Sequence, residues 1–304
     1  MEHISITPPE ICLLCDNKAF TKSVELSDYF LTGEDFALYQ CDACGLIHTR
    51  PFPAPSDLHR YYASEKYISH SGEKKSLLGK VYLSVRKYTH SKKFKLINRF
   101  TKGNSILDIG CATGEFLKYC EDKGMTVSGI EPNPKARNFA VSQYRLAVSD
   151  EPEIGRMKTG SFDVITMWHV LEHVPDLNHR MKELNRLLKD NGTAFIALPN
   201  HLSFDARHYG KHWAAWDVPR HLFHFNRKSF TRLAEKHGFE IAGVLPMKFD
   251  AYYVSLLSEK YRNGKSSVLN ALRIGFISNL QALLTRKEYS SLIFIIKKSG
   301  NISL

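Results

Sequence analysis

The sequence has no apolar run of membrane length and carries no recognisable signal peptide. It also has no internal repeat and no low-complexity tract, so nothing in it indicates a repeat architecture. Cysteine is scarce, with 6 in 304 residues. We therefore expect a cytoplasmic protein whose thiols stay reduced. Its 43% hydrophobic composition can bury one core of ordinary size beside a small appendage.

A turn with three closely spaced glycines, which is typical of nicotinamide-binding enzymes, is absent as well. In its place, the apolar run Ser105–Ile109 predicts a buried strand, and Gly110 and Gly114 bound the turn that follows. A helix is expected to begin at Glu115. Because glycine lacks a Cβ, this turn allows a ligand to approach the backbone at the carboxyl end of the strand.

Two acids accompany the turn. Asp108 stands two residues before Gly110, and Glu131 ends the next apolar strand, residues 125–130. A carboxylate at the end of the second strand can accept hydrogen bonds from both hydroxyls of a ribose, and a carboxylate beside the turn can face an ammonium group. The two acids therefore predict a site for a cationic amino-acid nucleoside.

These residues resemble the first motif of the class I S-adenosylmethionine-dependent methyltransferases, with Ala112 in place of the usual middle glycine. The resemblance continues through residues 161–174, which look like the family's fourth strand and the turn after it. Residues 192–200 look like the fifth strand, so the resemblance covers about 95–246. It implies an α/β fold, a Rossmann-like seven-stranded sheet with helices on both faces. It also implies that S-adenosylmethionine is held by Asp108, Gly110, Cys111, Ala112, Gly114, Glu131, Pro132, Trp168 and His169.

A second motif lies near the amino terminus, where two CxxC pairs are separated by 25 residues. Four thiolates at this spacing fit a tetrahedral structural Zn²⁺ site, and disulfide pairing is the alternative. The ligands would be Cys12, Cys15, Cys41 and Cys44. Four protein ligands leave no open position on the metal, so we expect the zinc to support the fold rather than the chemistry.

Composition divides the chain into four segments. Three prolines in residues 51–55 end a zinc ribbon at residues 1–52. A basic helical connector, 53–94, leads to the cofactor-binding core, 95–246, and residues 247–304 add strands and a helical insertion that complete it. Residues 60–103 carry 12 Lys or Arg against 2 acids. This connector predicts a helix packed on the core, and contact with a membrane surface or a nucleic acid is the alternative.

The carboxyl-terminal segment holds the two last predicted strands. One lies near residues 240–245 and is extended toward Leu256, and the other lies near 291–297. Between them, apolar residues step by three or four and predict one helix. These residues are Leu269, Leu272, Phe276, Leu280 and Leu283. Such a helix could cap the substrate cleft, form a contact in a homodimer or touch a membrane, and the sequence leaves a monomer or a homodimer open.

Methyl transfer requires an aligned donor and acceptor and, for most oxygen or carbon acceptors, a base. The candidates are His169 and His173 after the fourth strand, and His221 and His224 in the segment 213–225. That segment is expected to be an exposed loop forming an acceptor pocket, which makes the last two histidines the favoured bases. The alternative is that they only satisfy backbone groups of the loop.

Two neighbouring charges have candidate roles. Glu172 would orient one of the histidines, and Arg220 would pair with a phosphate or carboxylate of the acceptor or anchor the loop to Asp217. The pattern from Trp213 or Trp216 to His221 resembles methyltransferases of sugar and glycan pathways. It implies a small, sugar- or phosphate-bearing acceptor that is methylated at oxygen or carbon.

Two other functions stay open. A nucleic-acid methyltransferase would account for the zinc ribbon and the basic connector, although the fourth motif lacks the Asn/Asp-Pro-Pro-aromatic signature of base amino methylation. A non-catalytic module that binds the cofactor or a partner is the other. The intact acids and glycines of the turn argue against it.

Overall fold

The computed structural model describes residues 11–54, 57–62, 77–285 and 287–300. Its two sheets are a four-stranded antiparallel sheet near the amino terminus and a central seven-stranded sheet. The strands, in chain order, are β1 (Phe20–Ser27), β2 (Asp35–Cys41), β3 (Ile47–Arg50), β4 (Ser105–Ile109), β5 (Thr126–Ile130), β6 (Val148–Ser149), β7 (Phe162–Trp168), β8 (Leu188–Pro199), β9 (Phe223–His224), β10 (Phe239–Pro246) and β11 (Ser291–Lys298). The described helices are α1 (Leu58–Tyr61), α2 (Leu77–Phe100), α3 (Glu115–Glu121), α4 (Pro134–Tyr144), α5 (Leu177–Leu187), α6 (Phe204–Tyr209), α7 (Arg227–Lys236), α8 (Asp250–Asn263) and α9 (Val268–Leu284).

The central sheet has the order β10-β11-β8-β7-β4-β5-β6. β4, β5, β6, β7 and β8 are parallel, whereas β11 runs antiparallel to both β8 and β10. The inner strands are buried on both faces, as expected for a parallel sheet covered by helices. The order reverses between β4 and β7, and ligands bind at the carboxyl ends of strands at such a reversal. The predicted fold class, a Rossmann-like seven-stranded sheet, is confirmed.

The amino-terminal sheet takes its fourth strand from a distant part of the chain. Its order is β1-β2-β3-β9, and β3 pairs with β9 through Ile47 with His224 and His48 with Phe223. Further hydrogen bonds dock the cysteine segment on the core: Asn178 Nδ2 and Lys236 Nζ both donate to Leu13 O, at 3.0 and 3.1 Å. The cysteine segment is therefore joined to the core by strand pairing and by side chains of α5 and α7.

The carboxyl-terminal segment differs from its prediction in one element. β10 ends at Pro246, so its proposed extension toward Leu256 is wrong. Those residues form α8, in which Ala251, Val254, Ser255 and Ser258 are buried at helical spacing. The aromatic and β-branched run that suggests a strand is overruled by packing against α9. The helix predicted in the insertion between the two last strands is present as α9.

Only part of the basic connector can be compared with its prediction. α2 spans its second half, and residues 63–76 lie outside the described part of the chain. Within the ranges given above, no helix is both long and apolar enough to cross a bilayer.

Candidate active site

In the turn after β4, every second residue from 110 to 114 has a left-handed backbone conformation. The φ angles are 73° at Gly110, 50° at Ala112 and 77° at Gly114. A Cβ on Gly110 would lie 2.5 Å from Val170 Cγ2, and one on Gly114 would lie 2.7 Å from Leu146 Cδ1. Both glycines are thus required by backbone conformation and by neighbouring side chains as well as by space for a ligand. Ala112 adopts a conformation that costs an L-residue about 1–2 kcal/mol, a type of strain that concentrates at ligand-binding turns.

Glu131 links the end of β5 to this turn. Its Oε2 accepts from Ala112 N and its Oε1 from Asn133 N, both at 2.8 Å. The side chain is buried, and burial raises the pKa of the carboxyl above its ordinary value. Each carboxylate oxygen has a second lone pair, so the two backbone bonds fix the group and leave acceptor capacity for two hydroxyls.

Asp108 is the last residue but one of β4, and its side chain is buried. Thr166 Oγ1 on β7 donates to Asp108 Oδ1 at 2.5 Å. Burial raises the pKa of Asp108 to about 7, against the opposing effects of Thr166 and of the Lys93 charge. A cation brought next to this carboxyl would favour its ionised form.

Lys93 and Trp168 lie together at this end of the candidate site, and of the two only Trp168 belongs to the motifs predicted to hold the cofactor. The Lys93 Nζ lies 4.0 Å from the centroid of the Trp168 ring. Burial lowers the pKa of Lys93 to about 8, with the charges of Asp108 and Asp250 acting in the opposite direction. The only available sequence signal is that this lysine falls four residues before Ile97, on the buried stripe of α2.

The geometry fits S-adenosylmethionine. Trp168 Nε1 is buried and has no hydrogen-bond partner among the described residues. An orphaned donor, a carboxylate with spare lone pairs and a strained turn meet at the carboxyl ends of β4, β5 and β7. Such an arrangement is typical of a ligand cradle whose polar groups are completed on binding.

The turn after β7 begins with His169, which has a φ of 58°. Its Nε2 lies 2.9 Å from Asp250 Oδ2 and its Nδ1 lies 3.4 Å from Glu172 Oε1. Burial opposes the charged imidazole, but these two carboxylates outweigh it and raise the pKa of His169 to about 10. His169 is therefore a cation near neutral pH and a hydrogen-bond donor.

Next to it, Glu172, His173 and His221 form a polar cluster. One potential metal-ligand atom from each residue, a carboxylate oxygen or an imidazole nitrogen, lies within 4.8 Å of the others. Glu172 is 1% exposed, and its nearest charged neighbour is His169 at 3.4 Å; within the described part of the chain, neither carboxylate oxygen accepts a hydrogen bond of good geometry. His221 Nε2 lies 3.9 Å from Glu172 Oε1, and the two imidazole centroids are 4.5 Å apart. A carboxylate and two imidazoles at this spacing could hold a proton, a polar ligand or a divalent cation.

Both histidines of this cluster present their Nε2. His173 Nδ1 lies 2.9 Å from Arg220 O, and His221 Nδ1 lies 2.9 Å from Ala215 O. A carbonyl only accepts, so each Nδ1 carries the hydrogen in the neutral ring and each Nε2 carries a lone pair. Burial, with a smaller contribution from His221, lowers the pKa of His173 to about 4. The neutral ring can accept a proton from a bound group.

The segment 213–225 is not the exposed loop that the sequence suggested. Trp213 is 2% exposed, and its Nε1 donates to Asp205 Oδ2 at 2.8 Å. His224 Nε2 lies 3.0 Å from Thr49 Oγ1, and burial lowers the pKa of this histidine well below its ordinary value. The expectation fails because aromatic residues in this segment pack inward and its strand β9 pairs with β3 as part of the amino-terminal sheet.

The Arg220 guanidinium makes its polar contacts within the protein. Its Nη2 lies 2.7 Å from both Asp28 Oδ1 and Asp217 Oδ1, and its Nη1 donates to Tyr61 O at 3.2 Å. The residue is 1% exposed. Pairing with a phosphate of the acceptor is therefore wrong as an interpretation, and anchoring to Asp217 is the role that the structure shows.

The four amino-terminal cysteines form a compact group. The Sγ atoms of Cys12 and Cys44 lie 3.5 Å apart, as do those of Cys15 and Cys41, and all four sulfurs lie within 4.8 Å of one another. A disulfide bond would bring two sulfurs to about 2.0 Å, whereas four thiolates about 2.3 Å from one Zn²⁺ lie nearly 4 Å apart. The donor set and spacing suit a zinc ion.

Comparison with known proteins connects this geometry to a family. A family model described as a methyltransferase domain matches residues 85–243. A ubiquinone biosynthesis O-methyltransferase of Xanthomonas oryzae pv. oryzae (strain PXO99A) is 30% identical over 142 residues, which are 44% of this chain and 59% of that protein. The Nitrosococcus oceani protein of the same name is 29% identical over 57% of this chain and 77% of its own length. The match thus spans little more than half of the Xanthomonas relative.

A solved structure supports the fold. The geranyl diphosphate C-methyltransferase of Streptomyces coelicolor A3(2) superimposes with a TM-score of 0.53 at 14% identity, covering 80% of this chain and 97% of that one. At this identity the similarity shows the fold alone.

Proposed function

The chain belongs to the methyltransferase-domain family and is an S-adenosylmethionine-dependent methyltransferase; on this basis, we propose that it methylates an oxygen or a carbon of a small metabolite. The observation that carries the proposal is the polar cluster of Glu172, His173 and His221, which lies directly after the strand that ends in Trp168. Two lone-pair nitrogens beside a buried carboxylate provide what an acceptor hydroxyl or carbon acid needs to lose a proton.

We assign the cofactor to the turn after β4 and its neighbours. Glu131 would accept hydrogen bonds from the ribose, and Asp108 would face the ammonium group. Lys93 would lie near the carboxylate of the methionine portion, since its Nζ lies 4.0 Å from the Trp168 ring and its charge interacts with that of Asp108. The remaining contacts would come from Gly110, Cys111, Ala112, Gly114, Pro132, Trp168 and His169.

When bound, S-adenosylmethionine would supply the methyl group by in-line displacement, in which the bond from the acceptor atom to the methyl carbon forms as the sulfur–methyl bond breaks and S-adenosylhomocysteine leaves. The acceptor proton would pass to Nε2 of His221, with His173 as the second candidate. His169 would act as a hydrogen-bond donor, because its pKa is raised to about 10 by Asp250 and Glu172 against the effect of burial. His224, in β9, would support the acceptor pocket from the amino-terminal sheet.

For the acceptor, we retain the sugar class on the resemblance of the segment 213–225. A phosphate is not required by this proposal, because Arg220 is paired internally. A phenolic hydroxyl is the second candidate, and the similarity to two O-methyltransferases of ubiquinone biosynthesis favours it. The proposal also includes a structural zinc ion and the division of the chain into four segments, of which the first three end at residues 52, 94 and 246.

An acceptor screen tests it. Purified zinc-loaded protein is incubated with S-adenosylmethionine and either nucleotide sugars, catechol-type phenols or RNA transcripts, and S-adenosylhomocysteine is quantified. We expect turnover with one of the two small-molecule classes and none with RNA. Turnover with RNA alone would overturn the acceptor class. Cofactor binding without turnover on any acceptor would support the non-catalytic alternative.

A further inference from the structure

The outer face of α9 carries an apolar surface that the protein leaves uncovered. Large side chains recur along it at steps of three or four residues and are 42–83% exposed. They are Leu269, Leu272, Phe276, Leu280 and Leu283. Val268 and Leu284, at the two ends of the helix, are 61% and 73% exposed. A contiguous apolar face of this kind on a folded protein marks an interaction surface.

The inner face of the same helix is made mostly of small residues. Ala271, Gly275, Ser278 and Ala282 are buried there, together with one large residue, Ile274. A Cβ on Gly275 would lie 2.6 Å from Tyr252 Cδ1, which shows how closely α9 approaches α8. The usual arrangement of an amphipathic helix is thus reversed, with small residues toward the protein core and large aliphatic residues outward.

The orientation of α9 is fixed by polar contacts. Ser278 Oγ donates to the buried Asp205 Oδ1 at 2.7 Å, and Asn279 Nδ2 donates to Lys248 O at 2.9 Å. The second bond places the start of α8 beside the helix. There Phe249 is 49% exposed and its ring packs edge-on against Tyr88 of the basic helix α2, with centroids 5.7 Å apart. Through Phe249, the apolar surface therefore extends to the basic helix α2.

Charge around this surface has one sign. From residue 260 to residue 287 the chain contains no acid and 6 basic residues. Arg273 is exposed on α9 itself, between Leu272 and Phe276 in sequence. An isologous contact between two copies would bring two such surfaces together and oppose like charges, which disfavours a dimer. An apolar face bordered by cations complements the headgroups and acyl chains of an anionic bilayer.

We propose that α9, which we call the docking helix, seats the protein on an anionic lipid surface, with its apolar face in the interfacial region. Asp250, the first residue of α8, contacts His169 at the candidate active site. Lys248, whose carbonyl accepts from Asn279 of α9, lies two residues before Asp250 in the chain and links the docking helix to that site. Lipid binding does not depend on the proposed methyl transfer, so the two can fail separately.

Vesicle sedimentation tests the proposal. The full chain is mixed with vesicles of phosphatidylglycerol and phosphatidylcholine at 1:3, and in parallel with phosphatidylcholine alone. We expect binding to the anionic vesicles that is at least about tenfold stronger than binding to the neutral ones and that weakens as salt rises. The double variant Phe276→Ser/Leu280→Ser should lose at least about tenfold in vesicle affinity, since it removes two large apolar groups from the interface.

Matched controls keep the result specific. Val141→Ser removes an apolar side chain of similar exposure, 44%, from α4, which contacts β6 at the edge of the central sheet opposite β10, and should bind vesicles like the wild type. Arg273→Glu should weaken binding more than Lys158→Glu. All variants must retain S-adenosylhomocysteine binding and an unchanged circular dichroism spectrum. Absence of vesicle binding by the wild type would overturn the proposal. So would a dimer in light scattering that Phe276→Ser/Leu280→Ser dissociates while vesicle binding is unaffected.

Discussion

Arg220 and Asp28 form a buried ion pair between residues 192 positions apart in the chain, with Arg220 Nη2 2.7 Å from Asp28 Oδ1. Their side chains are 1% and 0% exposed. The pair joins the amino-terminal sheet to the segment that carries His221. Because Arg220 O also accepts from His173 Nδ1, the same residue sets the position of the polar cluster.

Breaking this pair should destabilise the protein strongly. Arg220→Met leaves the Asp28 carboxylate buried without its cation, and we expect a loss of about 3–5 kcal/mol in the free energy of unfolding. Urea denaturation followed by tryptophan fluorescence measures this change. Arg156→Met is the matched control, because the Arg156 side chain is 78% exposed and should cost little. Similar stabilities of the two variants would contradict the structural role.

The same pair makes stability depend on pH in the acid range. Burial alone would raise the pKa of Asp28, but the hydrogen bond and charge of Arg220 outweigh it and lower the pKa below its ordinary value. A lowered folded-state pKa contributes stability above the unfolded-state value, about 3.9, and this stability is lost as the pH falls through the folded-state value. Asp28→Asn should therefore reduce stability at pH 7 and flatten its decline below about pH 4.

The proposed zinc site should stabilise the amino-terminal sheet. We expect about one zinc ion per chain by elemental analysis. Cys12→Ser/Cys44→Ser should lose the metal and lower the melting temperature by about 4 °C or more, because the cysteine segment docks on α5 and α7. Cys120→Ala alters a buried cysteine of the core and should keep its zinc. An unchanged melting temperature after metal removal would count against the site.

Glu131 should govern cofactor affinity. Glu131→Ala removes two candidate acceptors for the ribose hydroxyls and releases the backbone of Ala112, and we expect S-adenosylhomocysteine to bind at least about tenfold more weakly by calorimetry. Asp190→Ala is the control, since that side chain is 97% exposed. Equal affinity in both variants would mean that the ribose lies elsewhere.

Local sequence patterns predict β4 and the glycine-bounded turn after it, because these elements depend on residues close together in the chain. They could not predict Lys93 beside Trp168 or Arg220 beside Asp28, since both pairs form only when distant segments pack. The start of α8 shows a related limit. Tyr252, Tyr253 and Val254 favour a strand by local preference, and the buried face of the folded helix overrules it.

His221 is the proposed general base that takes the proton of the acceptor. His221→Ala removes the Nε2 lone pair nearest Glu172, and we expect kcat to fall by about 10²–10⁴ on whichever acceptor the screen identifies. Binding of S-adenosylhomocysteine should stay unchanged, because the cofactor contacts assigned above do not include this residue. His179→Ala changes an exposed histidine and should keep full activity. His224→Ala should instead lower stability, because the imidazole it removes is buried against Thr49 and Trp216. Full turnover of the His221 variant would transfer the role of base to His173, and loss of cofactor binding in that variant would show that His221 supports the site rather than the proton transfer.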